Sequence, residues 1–81
     1  MDPNATLREL LEALAQRDWG RVQELSEALL AWMEKRGFPP TTIGAPELGP
    51  HWHRTIATFV CYAALGKVTA AQRRRDRKQD A

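Results

Sequence analysis

Cysteine occurs once in this chain, at Cys61, so no disulfide can form within it. A lone thiol fits a reducing compartment, and a cytoplasmic protein is expected. Long hydrophobic runs are missing too. The longest apolar-rich stretch, Thr55 to Leu65, is far shorter than the ~20 residues that cross a bilayer, which excludes a membrane-spanning helix. The opening MDPNATLREL has neither a basic n-region nor an apolar h-region, so no secretory leader is expected. With 81 residues the chain makes one domain at most. A domain of this size buries only about 60% of its unfolded surface. Without disulfides, it gains further stability most simply by assembly.

The net charge of +2 is unevenly placed. Residues 1–66 hold six Lys and Arg against eight Asp and Glu, while residues 67–81 hold six against two. The basic character belongs to the C-terminal end.

Helical signals dominate what remains. Asp2 caps a first helix with Pro3 at its first position, where a missing N–H costs nothing. Thr6 with Glu9 offers an alternative start as a capping box. Leu7, Leu10, Leu11 and Leu14 form one apolar stripe over residues 3–17. Asp18 caps a second helix, residues 19–36, and Gly20 relaxes the turn. Its apolar residues, from Trp19 through Val22, Leu25, Leu29 and Leu30 to Trp32 and Met33, span about 160° of the helix. Ser26 falls inside that arc and either bonds back to the Val22 carbonyl or fills a small packing position.

KRGFPP is a stop signal. Gly37 suits the left-handed position, Phe38 folds back on the last turn, and Pro39 and Pro40 block continuation. TTIGAPELGP then reads as a loop pinned by Ile43 and Leu48. A third helix covers residues 51–71, with Trp52, Ile56, Phe59, Val60 and Ala63 on one face. FVCY has strand-forming composition, but nothing else in the chain could pair with it. Gly66 interrupts, and residues 72–81 form a basic tail that projects or frays. The expected fold is all-α: a helical hairpin, a Pro/Gly-rich crossover, and a third helix across the hairpin's apolar face.

The segment LLEALAQRDWGRVQELSEALLAWMEK resembles one unit of a tetratricopeptide-type helical repeat in its packing. It lacks that family's Trp, Leu-Gly and Tyr signature and has no second copy. A peptide groove of the family's kind therefore has no counterpart, and no binding residues carry over.

No catalytic, cofactor or metal site is predicted. His51 and His53 are two apart and project on opposite sides of a helix. His53 and Cys61 lie about 12 Å apart along the axis, beyond the reach of one zinc. The same gap separates Cys61 from a histidine base. Carboxylate pairs such as Glu24 and Glu27 sit on outer faces. An enzyme, or a small-molecule substrate, is not expected.

Trp19, Trp32 and Trp52 lie at helix ends, where large rings seal a small core. Two helices nevertheless carry more apolar surface than three can cover in one chain. A homodimer, or docking on another protein, follows, with Trp32, Trp52, Ile56 and Phe59 at the interface and the third helix central. The expected function is a non-catalytic interaction or assembly module, a small adaptor or regulatory subunit. The alternative is a nucleic-acid-associated protein. There Arg73, Arg74, Arg75, Arg77 and Lys78 bind phosphates without sequence preference.

Overall fold

The computed structural model describes the backbone of residues 1–80 and the side chains of residues 1–77. Three helices form: α1 (Pro3–Gln16), α2 (Trp19–Glu34) and α3 (Pro50–Asp80), with one 3-10 turn at Pro46–Leu48. Among the described residues there is no strand, and FVCY lies inside α3.

Asp2 is the N-cap of α1, its carboxylate accepting from the Asn4 and Ala5 amides at 3.1 and 3.2 Å. Thr6 lies within the helix, its amide and hydroxyl both donating to the Asp2 carbonyl at 3.0 Å, so the capping box does not form. Asp18 caps α2 through the Arg21 amide at 3.3 Å. Both helices end in Schellman motifs, and in both the left-handed residue is an arginine. Arg17 (φ 57) ends α1 with the bonds Arg17 N to Leu14 O and Asp18 N to Ala13 O. Arg36 (φ 62) ends α2 with Arg36 N to Met33 O and Gly37 N to Trp32 O. The stop therefore falls one residue earlier than expected at Gly37, and Gly20 is in α2's first turn.

Gly37 has a different task. A Cβ there would collide with the indole of Trp32, which lies flat against the glycine. The Trp32 indole N–H donates to the Phe38 carbonyl at 2.8 Å. The indole, not the Phe38 ring, closes this end, and Phe38 is 80% exposed.

Leu7, Leu10 and Ala13 enter the core from α1, Val22, Leu25, Leu29 and Met33 from α2, and Ala57, Cys61, Ala64 and Val68 from α3. Leu11 is exposed, because Ala13 takes the inward position instead. The central element is α2, which packs against both α1 and α3. The reason is its wide apolar arc: one helix with such an arc serves two neighbours. The inward face of α3 is narrow and made of small residues, which suits one close contact.

The α3 helix runs antiparallel to α2. Near its start Arg54 donates to the Gly37 carbonyl just past the end of α2, and its middle lies beside Trp19 at α2's beginning. It is continuous through Gly66 and does not stop at residue 71. Extending an existing helix is far easier than nucleating one, and the Ala, Gln, Arg and Lys residues there are strong helix formers. Its 31 residues make a rod of about 46 Å in a molecule 51 Å long. Val68 is the last buried residue, and residues 72–77 are exposed. The side chain of Lys78, and Ala81, lie outside the described residues.

Candidate interaction surface

The crossover from Lys35 to Gly49 is held by polar side chains acting on its backbone. Asn4 Oδ1 accepts from the Thr41 amide at 2.8 Å. The Trp52 indole N–H donates to the Ile43 carbonyl at 2.8 Å. His53 is buried and binds the loop on both sides of its ring. Its Nδ1 accepts from the Thr42 amide at 3.0 Å, with the Thr42 hydroxyl 2.9 Å away. That bond puts the ring proton on Nε2, which donates to the Ala45 carbonyl at 3.0 Å. Pro40 is the loop's buried apolar residue, whereas Ile43 and Leu48, expected to pin it, are exposed. His53 is therefore an interior strut.

The groups with chemical potential are thus already committed or sequestered. Cys61 is fully buried, and burial pushes its thiol from 9.0 up to about 11, so it is protonated at neutral pH. Both ring nitrogens of His53 are bonded to loop backbone. His51 is exposed. Among the described residues no three His, Cys, Asp or Glu side chains converge as metal donors. Ser26 is buried and its hydroxyl makes no bond to Val22, so it fills a packing position.

Along α3 a second face lies about 130° round the helix from the buried one. Trp52, Ile56 and Phe59 begin it, and Ala63, Gly66 and Ala70 continue it at the same angular position. Phe59 is 73% exposed, Trp52 is 43% exposed, and Ile56 is half-buried. Trp32, the fourth expected interface residue, is half-buried and engaged by Gly37 and Phe38. The ridge thus has a bulky half and a small half. Only the first was legible, because Gly66 reads as a break and hides the continuation.

Beside the small half is a groove. Ala63, Gly66 and Ala70 line it from α3, Arg17 lines it from the end of α1, and Trp19 from the start of α2. Arg74, Arg75 and Arg77 from the expected phosphate-binding run stand at its end, and Arg73 is also exposed. Three arginines of the run thus border this concavity as a continuation of α3.

The fold and this surface define a small all-α three-helix protein whose longest helix carries an apolar ridge on its outer side. Compared with protein families, curated proteins and solved structures, the chain matches none. Among the described residues, no helix is long and apolar enough to cross a membrane.

Proposed function

We propose that this protein is a non-catalytic assembly module that binds another protein chain through the outer ridge of α3. The carrying observation is Phe59, an aromatic ring 73% exposed in the first third of the longest helix, preceded on the same line by Trp52 and Ile56. Burying a side chain of this size contributes about 1.5–3 kcal/mol, and contiguous exposed apolar residues mark interaction sites. Trp52 is held by its bond to Ile43, so little side-chain freedom is lost on binding. Trp32 closes the end of α2 and supports the surface indirectly.

The test is a photoreactive phenylalanine analogue at position 59, with the same analogue at exposed Glu24 as the control. Irradiated in producing cells, position 59 forms discrete protein adducts and position 24 does not. An absence of adducts at 59 overturns the reading.

One observation favours a second reading, a nucleic-acid-associated protein: the cations around the groove, with Trp19 available for stacking. About five phosphate contacts give a log–log salt slope near −4 to −5 on duplex DNA. Deleting residues 72–81 abolishes that binding and spares the ridge.

A further inference from the structure

We infer that the ridge of α3 pairs with the ridge of a second copy of this chain, antiparallel, each bulky half seated on the other's small half. This rests on the reading of the ridge as an assembly surface and names its occupant.

A two-fold interface uses one patch against itself, so the patch has to be self-complementary. This ridge is. In the antiparallel register centred between Phe59 and Ala63, Phe59 of one copy faces Ala63 of the other, Ile56 faces Gly66, and Trp52 faces Ala70. Each large side chain meets a small one over about 27 Å of helix. Sliding by one turn puts Phe59 on Phe59 and loses the match.

Gly66 is an independent observation. A glycine inside a helix costs about 1 kcal/mol relative to alanine. A Cβ at this one would meet nothing within 4 Å, so no packing within a single chain calls for a glycine. A neighbouring helix carrying Ile56 against that position does. The groove beside Gly66 also receives the incoming ridge, with Trp19 and Arg17 as its far wall.

The test is sedimentation of the full chain over a micromolar concentration series. The expected mass is twice the 9.2 kDa of one chain. Gly66→Leu supplies the sharper readout. A leucine is the better helix former, so helicity by circular dichroism is kept, while self-association weakens at least tenfold. Register is read from a chain carrying both Ile56→Cys and Gly66→Cys. The two sites are about 15 Å apart along one helix and cannot bridge internally. Oxidation therefore yields covalent dimers, and buried Cys61 stays out of the reaction.

A dimer indifferent to Gly66→Leu, or one without cross-links, overturns this pairing. A chain monomeric throughout the series overturns the second copy as occupant. The ridge reading then stands if position 59 gives adducts of another mass, and falls if it gives none. A monomer that binds a labelled oligonucleotide, and loses it on Arg74→Ala, assigns the groove to a phosphate ligand instead.

Discussion

Arg17 and Arg36 hold backbone angles that a side chain makes costly, by roughly 1–2 kcal/mol for an L-residue in the left-handed region. Glycine removes that cost and gives back part of it as unfolded-state entropy. Arg36→Gly is therefore expected to raise unfolding stability by about 0.5–1 kcal/mol. Its neighbour behaves oppositely. Gly37→Ala drives a methyl into the Trp32 indole and disturbs the bond to Phe38, which lowers stability by about 1–3 kcal/mol. Urea titration of the two variants checks both signs. The motif KRGFPP announces a helix stop but not which residue turns left-handed. The indole settles that, since it needs the space where a Cβ at position 37 would stand.

Among the elements, the crossover departs furthest from its sequence pattern. Apolar residues usually pin a loop, and Ile43 and Leu48 were the natural choices, yet both face solvent. Here Asn4, Trp32, Trp52 and His53, from three different helices, take up the loop's backbone groups. Such bonds leave no periodicity behind, so the sequence pattern does not announce them. His53→Ala leaves the Thr42 amide and the Ala45 carbonyl without partners, at a cost of about 2–4 kcal/mol. Hydrogen exchange should speed at Thr42 and its neighbours while the α1–α2 pairing stays protected. Uniform acceleration across all three helices would mean that the loop and the core unfold as one unit.

At the scale of the whole molecule, the projection of α3 makes the chain elongated. Its radius of gyration is 14.0 Å, against about 12 Å for a compact chain of this length. Cys61 ties this architecture to pH, because it lies in the interface between α2 and α3. Its thiol titrates near 11 when folded and near 9.0 when exposed. Between those values the folded chain binds more protons than the unfolded one, so stability falls as pH rises. Below pH 9 the group contributes no slope. The full loss is about 2–3 kcal/mol, reached above pH 11. Thermal unfolding of wild type and Cys61→Ala across this window should show the decline flattened in the variant.

Helix existence, the two aspartate caps, the hairpin and the inward places of Leu7, Leu10, Leu25 and Leu29 were all determined by the sequence itself. These depend on contacts within a few residues, where propensity, capping and periodicity act. Tertiary structure decided that α2 packs against both other helices, and that α3 turns Ala57, Cys61 and Ala64 inward while Phe59 faces out. Both faces of α3 are apolar, so periodicity alone cannot choose between them. Close approach to α2 chooses the small residues, because a phenylalanine at that contact would hold the two helices apart.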